Sequence, residues 1–192
     1  VTYTTSGTCP DYSTVNVTII ADNMCITAIW SEDFSGGIPS SWSNSSAPWE
    51  YRGPNTNPNN IVGSRGAYMS NQTPIASPSA ANGFVIFDSD YLDNNGFSNN
   101  MGGGLYPTPH QGTLKTDNID LSGYGSLDLK LNSYFRKYLG KAIVRFYING
   151  QFDSQVELHT DLTINNANIP SDEVRFSMPG SVPGNTNVQM EF

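Results

Sequence analysis

Short runs of alternating apolar and polar residues, separated by clusters of glycine, proline, asparagine and serine, limit the folds open to this chain more than any other feature. In one run, Leu127, Leu129 and Leu131 fall on one side of an extended backbone and polar residues fall on the other. No long segment repeats apolar residues at helical spacing. Because alternation of period two is typical of half-buried strands, the sequence predicts an all-β sandwich of antiparallel strands.

The same alternation predicts further strands whose apolar side chains face a core. Their apolar rows are Val15, Val17 and Ile19; Val174, Phe176 and Met178; and Val188, Met190 and Phe192. Residues 84–87 are apolar on both faces, which predicts a central strand covered on both sides.

A hairpin is predicted at Asn149 and Gly150, and the alternation decides its register. A two-residue loop would place the apolar Ile148 opposite the polar Gln151. A three-residue loop that includes Gln151 pairs like with like, so we expect that loop, with a glycine bulge. The pairs it predicts are Ile148 with Phe152, Phe146 with Ser154, and Val144 with Val156.

The charge of the chain excludes several classes of partner. It carries 9 Lys and Arg residues against 17 Asp and Glu residues, a formal net charge of -8 at pH 7. Such a charge repels phosphate backbones and anionic headgroups, so neither nucleic acid nor direct membrane insertion is expected. Because cations are rare, Arg52, Arg65, Arg136 and Lys137 are expected to satisfy acidic neighbours or backbone carbonyls.

Polar uncharged residues dominate the sequence and lysine is scarce, as in extracellular bacterial surface proteins. The two cysteines, Cys9 and Cys25, lie in one N-terminal stretch. They are expected either to form a disulfide or to be two buried free thiols. No Cys-x-x-Cys pair or neighbouring histidine points to a zinc or redox site.

The densest acidic cluster comes directly after the run 84–87. It consists of Asp88, Asp90 and Asp93, followed by asparagines and a glycine. Several oxygens on a tightly turning chain suit a hard cation such as calcium, and the alternative is a solvated acidic turn. Glu32 and Asp33 form a second acidic pair, which could join the first cluster only through the fold.

Catalysis is weakly supported by the sequence. The two histidines, His110 and His159, lie in unrelated contexts, and neither belongs to a metalloprotease or serine-hydrolase motif. We therefore expect a protein that is not an enzyme.

Aromatic residues on the loops suit contact with sugars. Sugar rings present C–H faces that stack on flat aromatic rings, which makes Tyr91 and Tyr106 candidate glycan ligands. Trp42 and Trp49 are instead expected to fill one end of the sandwich as core residues.

Several segments resemble one known family. Residues 30–42 hold an acidic pair, a phenylalanine, a glycine-rich turn, a proline and a tryptophan, and they resemble the opening of MAM-like, or choice-of-anchor J (cleaved adhesin), jelly-roll domains. Residues 112–136 look like that family's second signature. Residues 62–68 and 82–91 resemble a variant found in large secreted surface proteins of the Bacteroidota.

The resemblance implies a two-sheet antiparallel jelly-roll β-sandwich with long loops and with structural calcium near Glu32 and Asp33. It also implies export by the type IX secretion machinery and an outer-membrane-associated place at the cell surface. Residues 1–24 look like the C-terminal end of a preceding immunoglobulin-like module. Residues 25–192 are then the jelly-roll domain, truncated at its C-terminal end, in a longer chain whose other domains are its neighbours.

These observations favour a non-catalytic binding module of a secreted cell-surface adhesin, stabilised by calcium and binding a glycan or a surface protein. The resemblance includes adhesins of gliding motility. Two alternatives stay open: a structural spacer or docking domain of a surface filament or motility assembly, and an accessory domain of a secreted hydrolase.

Overall fold

The computed structural model describes the backbone of residues 18–20, and both backbone and side chains of residues 28–53, 63–67, 82–167, 173–178 and 186–192. These residues form twelve strands and one short helix, and every strand pair is antiparallel. The expected all-β class is confirmed. Cys9 and Cys25 lie outside the described residues, as do Val15 and Val17.

The elements follow one another along the chain with a single helix between the fifth and sixth strands. They are β1 (Thr18–Ile20), β2 (Ala28–Trp30), β3 (Ser43–Asn44), β4 (Glu50–Arg52), β5 (Phe84–Ile86), α1 (Ser89–Asn94), β6 (Leu114–Lys115), β7 (Ile119–Asp120), β8 (Asp128–Asn132), β9 (Ala142–Ile148), β10 (Gln151–Leu158), β11 (Glu173–Ser177) and β12 (Asn187–Glu191). In the described part of the chain, no helix has the length and apolar character needed to cross a bilayer.

The strands form three sheets. One has four strands in the order β11-β8-β1-β2, and a second has the order β10-β9-β12-β6-β3, with β7 also paired to β12. The third sheet consists of β4 and β5. The strand β12 therefore lies inside its sheet, with β9 on one side and β6 and β7 on the other.

One hydrophobic core joins the two larger sheets. The four-stranded sheet contributes the predicted row Leu127, Leu129 and Leu131, each buried. The other sheet contributes Phe146, which is fully buried and meets the ring of Phe176 edge to face, with 6.0 Å between centroids. The alternation in the sequence points its apolar side at this core, as predicted.

A second cluster is built from the aromatic residues of the segment that carries the acidic pair. Trp42 is buried, with its ring stacked on Trp30 at 6.0 Å and edge to face with Phe34 at 5.8 Å. Trp49 is half-buried against the same cluster. The expectation that Trp42 is a core residue is confirmed.

The hairpin between β9 and β10 corrects the predicted loop length. Asn149 and Gly150 alone form the turn, with φ of 49° and 80°, and Ile148 pairs with Gln151. A bulge between Phe152 and Ser154 then shifts the register by one residue. Asn-Gly suits positive φ at both positions, so the tight turn is kept and the bulge restores the alternation. The pairs farther from the turn agree with the prediction: Phe146 with Ser154, and Val144 with Val156.

Residues 84–87 do not form the predicted central strand. Within the described residues, β5 pairs only with β4. Its apolar character on both faces has another cause, because its side chains pack against aromatic residues around Trp42 and Trp49. Val85 packs against the Trp42 cluster, and Phe87 lies between Trp49 and His110, at centroid distances of 6.0 and 5.4 Å.

The first described strand lies inside the four-stranded sheet. Ile19 of β1 is opposite Leu129 of β8 on one side and Trp30 of β2 on the other. Residues 18–20 therefore share a sheet with strands that follow the predicted boundary at residue 24. Residues 1–17 and 21–27 lie outside the described part, and the immunoglobulin-like module stays a prediction.

Candidate functional site

The helix α1 and the segment that follows it bring together most of the residues singled out in the sequence. Asp88 is the N-cap of the helix, and its side chain accepts a hydrogen bond from the Tyr91 backbone N–H. Asn95 ends the helix in the left-handed conformation, with φ of 55°. Asp-type caps and an asparagine at the C-terminal end are favourable choices for so short a helix. The capping residues Asp88 and Asn95 thus mark the two ends of the helix.

Asp88 is buried, and its carboxylate accepts hydrogen bonds from other groups of the protein. Its side chain is 3% exposed and accepts hydrogen bonds from the Ser64 hydroxyl and from the Arg65 backbone N–H, the latter at 2.7 Å. The Arg52 guanidinium lies 3.8 Å from the same carboxylate. A buried carboxylate needs such partners because desolvation alone is costly. Asp88 therefore ties α1 to β4 and to residues 63–67.

Two arginines extend this network toward the surface. Arg52 and Arg65 share one oxygen of Glu50, at 2.5 and 2.6 Å. The Arg65 guanidinium also lies over the Tyr91 ring, 4.0 Å from its centroid. These contacts confirm that Arg52 and Arg65 satisfy acidic neighbours. They also cover one face of Tyr91 with a cation.

Asp93 holds the loop that follows the helix. Its carboxylate accepts hydrogen bonds from the backbone N–H and hydroxyl of Thr108, at 3.0 and 3.2 Å, and from the backbone N–H of Gly102, at 3.3 Å. Its backbone carbonyl accepts a 2.7 Å bond from Gly104. A Cβ on Gly104 would come within 2.1 Å of the Leu92 carbonyl oxygen, so only glycine fits at this contact.

The neighbouring Asn94 fixes the start of the same loop. Its side chain is fully buried, and its amide oxygen accepts hydrogen bonds from the backbone N–H groups of Gly96 and Ala67, at 2.8 and 3.3 Å. Its amide nitrogen donates to Asp90. The loop is therefore anchored at both ends by side chains of one helical turn.

The anchored loop presents apolar side chains to solvent. Phe97, Met101 and Leu105 are 63%, 74% and 74% exposed. Residues 94–114 carry no Asp, Glu, Lys or Arg, in a chain whose net charge is -8. We call residues 97–105 the apolar loop. Sequence reasoning missed its three apolar residues, although the uncharged stretch was a visible signal.

The predicted ligand residues Tyr91 and Tyr106 lie beside this loop and are both half-buried. The backbone N–H of Tyr106 donates to the Leu92 carbonyl at 3.0 Å, which places the tyrosine at the end of the apolar loop. The structure thus brings Tyr91, Tyr106 and the cluster of Asp88, Asp90 and Asp93 to one region of the molecule.

The acidic pair lies in a different turn. Glu32 accepts a 2.6 Å hydrogen bond from the Phe34 backbone N–H, and Asp33 accepts from the Ser35 backbone N–H at 2.9 Å and from the Asn82 side chain at 3.0 Å. These bonds, chiefly the one from Ser35, hold the pKa of Asp33 below its usual value.

Within the described residues, no three Asp, Glu, His or Cys side chains come close enough together to hold a metal ion. The five predicted calcium ligands therefore do not meet in one site here. Asp33, Asp88 and Asp93 instead direct oxygens at N–H and O–H donors of the protein. Donor sets of this kind do not fit a shared calcium centre, and calcium binding stays a prediction.

The two histidines pack in separate places. His110 lies edge to face against Phe87, whereas His159 stacks on Phe135 at 6.1 Å and its Nε2 lies 2.9 Å from the Ser133 hydroxyl.

Among known proteins, no family model, curated protein or solved structure matches the chain. The resemblance drawn from the sequence motifs stays a prediction.

The acidity of Asp93 gives a testable pH dependence. Hydrogen bonds, first of all from the Thr108 backbone N–H, lower the pKa of Asp93, against an opposing effect of desolvation, and the charge of His110 lowers it further. A carboxyl whose pKa is lower in the folded state stabilises the fold above its unfolded value of about 3.9. That stabilisation is lost as the pH falls through the folded-state pKa.

We expect Asp93→Asn to lower the melting temperature at neutral pH and to differ less and less from the wild type as the pH falls below about 4. Thermal melts of both proteins over a series of pH values measure this. A melting-temperature difference that stays constant down to strongly acidic pH would contradict the assigned role of the Asp93 carboxylate. Asp161→Asn, on an exposed turn, serves as the matched control.

Proposed function

We propose that this chain is a non-catalytic binding module of a secreted cell-surface adhesin and that the apolar loop is its binding element. The observation that carries the proposal is the combination of three exposed apolar side chains with an anchored backbone. Exposed apolar residues on a soluble protein mark interaction sites when they are grouped. An anchored loop loses little conformational entropy when it binds, so more of the contact energy is available as affinity.

The chemistry of the loop suits an uncharged, partly apolar surface. Phe97, Met101 and Leu105 offer an aromatic ring, a flexible thioether and an aliphatic side chain, without a charge between residues 94 and 114. Methionine adapts to irregular partner surfaces. A bound surface protein would contact all three side chains. A glycan would stack chiefly on Tyr106, because Arg65 covers one face of Tyr91. We therefore place a surface protein first and a glycan second.

The remaining parts of the proposal rest on the sequence. The jelly-roll connection of the strands, the place at the cell surface, export by type IX secretion and a role in a longer adhesin all come from the motifs of residues 30–42 and 112–136. The antiparallel sheets around one core are compatible with a jelly-roll sandwich.

The test is a triple variant, Phe97→Ser, Met101→Ser and Leu105→Ser. We expect it to lower the affinity for the target surface about tenfold or more, because buried apolar anchors carry much of the energy of an interface. The free protein should keep its melting temperature within a few degrees, since all three side chains are exposed. Binding is measured on arrays of glycans and of surface proteins, and then on whole cells.

Phe152→Ser is the matched control, because Phe152 is 57% exposed and lies on β10, outside the apolar loop. It should bind like the wild type. If the triple variant also binds like the wild type, the apolar loop is not the binding element. Loss of glycan binding in Tyr106→Ala alone would instead favour the glycan.

Calcium enters the same experiment as a separate arm. Melts and binding are run with calcium and with a chelator. A melting temperature that falls in chelator would support a structural calcium ion, whereas an unchanged one would remove calcium from the proposal.

A further inference from the structure

The cations of this chain are almost all paired. Within the described residues, Arg52, Arg65, Lys130, Lys141, Arg145 and Arg175 form ion pairs, and Lys115 lies over the Tyr147 ring. Of the nine Lys and Arg residues, only Arg136 and Lys137 form neither an ion pair nor a cation–π contact with the described residues. Within the described residues neither of these two side chains has the expected acidic neighbour, and the alternative, bonds to backbone carbonyls, stays a prediction.

The two unpaired cations adjoin exposed apolar side chains. Tyr138 is 65% exposed and Leu139 is 76% exposed, directly after Lys137. Lys141, whose side chain is 62% exposed, follows two residues later. Residues 136–141 thus combine three of the nine cations with two large apolar groups, and we call them the basic loop.

The basic loop is held by a second loop. The Lys137 backbone N–H donates to the Asn166 carbonyl at 2.9 Å, and the Asn165 N–H donates to the Lys137 carbonyl at 2.8 Å. An isolated β-bridge joins Arg136 to Ala167. The neighbouring Ile164 is 54% exposed and adds a third apolar side chain on the supporting loop.

We propose that the basic loop is a second binding site, which takes an anionic polysaccharide. Carboxylates along such a polymer would pair with Arg136 and Lys137, and the C–H faces of its sugar rings would lie against Tyr138 and Leu139. This site goes beyond the proposed function, because it lies on different loops from residues 97–105 and its ligand is charged.

Charge density favours a polysaccharide over a nucleic acid. Duplex DNA carries about one charge per 1.7 Å, so tight binding needs many basic side chains, and a net charge of -8 opposes it. A uronic acid polymer carries one carboxylate per sugar ring, a spacing that a few cations can match. At physiological salt the repulsion from distant carboxylates is screened beyond about 8 Å, so a local group of unpaired cations can act.

The experiment measures binding of the full chain to polygalacturonate, at low and at physiological salt. Three further probes accompany it: methyl-esterified polygalacturonate, polyglutamate and duplex DNA. We expect binding to polygalacturonate that weakens with salt, little binding to the neutral ester, and weaker binding to polyglutamate and DNA.

Two variants locate the site. Arg136→Gln with Lys137→Gln should weaken binding to polygalacturonate roughly threefold to tenfold, as expected for two exposed charge pairs. Tyr138→Ala should weaken it by about the same factor through lost ring contact. Lys130→Gln, a paired cation on β8, and the triple variant of residues 97–105 should both bind like the wild type.

Several results would overturn the proposal. If polyglutamate binds as tightly as polygalacturonate, the site recognises charge alone. Tighter binding of DNA than of polygalacturonate would also contradict the proposal. So would variants of the basic loop that bind polygalacturonate as the wild type does. No binding of the wild type to polygalacturonate at low salt would also overturn it, without touching the role of the apolar loop. The melting temperatures of the variants should stay within a few degrees of the wild type, since none of the replaced side chains is buried.

Discussion

Replacing Phe146 by alanine is expected to lower the free energy of unfolding by about 4 kcal/mol. The Phe146 side chain is fully buried between the two larger sheets and packs edge to face on Phe176. Its loss removes apolar contacts from both sheets and leaves a cavity that paired strands cannot easily close. Urea unfolding followed by tryptophan fluorescence measures the change, with the slope m reporting any change in compactness.

Phe152→Ala is the matched control for this prediction. Phe152 lies on the same hairpin but is 57% exposed, with only an edge contact to Tyr147. It should cost about 1 kcal/mol or less. Equal losses for the two alanine variants would show that the two sheets do not share the core described here.

Replacing Asp88 by alanine is expected to cost about 3 kcal/mol. The change leaves the Ser64 hydroxyl and the Arg65 N–H without their acceptor, and it removes one of the two carboxylates beside the buried Arg52. It also removes the N-cap of α1, while Arg52 keeps its closer ion pair with Glu50. Because α1 supports the apolar loop, hydrogen exchange should speed up first in residues 89–108.

Asp120→Ala is the control for the loss of a carboxylate. Asp120 is exposed and accepts a hydrogen bond from the Ser122 N–H two residues away. It should leave the free energy of unfolding close to that of the wild type. If Asp88→Ala were as mild, the buried network would have no part in holding the loop.

Much of the core could be predicted from the sequence. Leu127, Leu129 and Leu131 alternate with polar residues, and a strand has no other way to bury one row and expose the other. The burial of Val188 and Met190 was predicted on the same grounds. These predictions depend only on the direction of side chains along a strand.

The hairpin and β5 show where such reasoning fails. The sequence predicted the right partners for Phe146 and Val144, but it assigned the register shift to the loop instead of the bulge near Phe152. A three-residue loop and a two-residue turn with a bulge both satisfy the alternation, and only the backbone geometry distinguishes them. Residues 84–87 are apolar on both faces, but apolarity does not tell whether a large sheet or a group of aromatic side chains covers a strand.

Some features of the candidate sites follow from the sequence, and others follow only from the structure. The sequence by itself determined the strand class, the acidic balance, the inward rows and the group of residues around α1, since these follow from local composition and period. Only the tertiary structure decided that Asp88 and Asp93 bind protein donors, that Phe97, Met101 and Leu105 face solvent, and that Arg136 and Lys137 have no acidic partner among the described residues. The physical reason is that hydrogen-bond partners and exposure depend on segments far apart in the chain, such as residues 64 and 88, whose meeting no local pattern encodes.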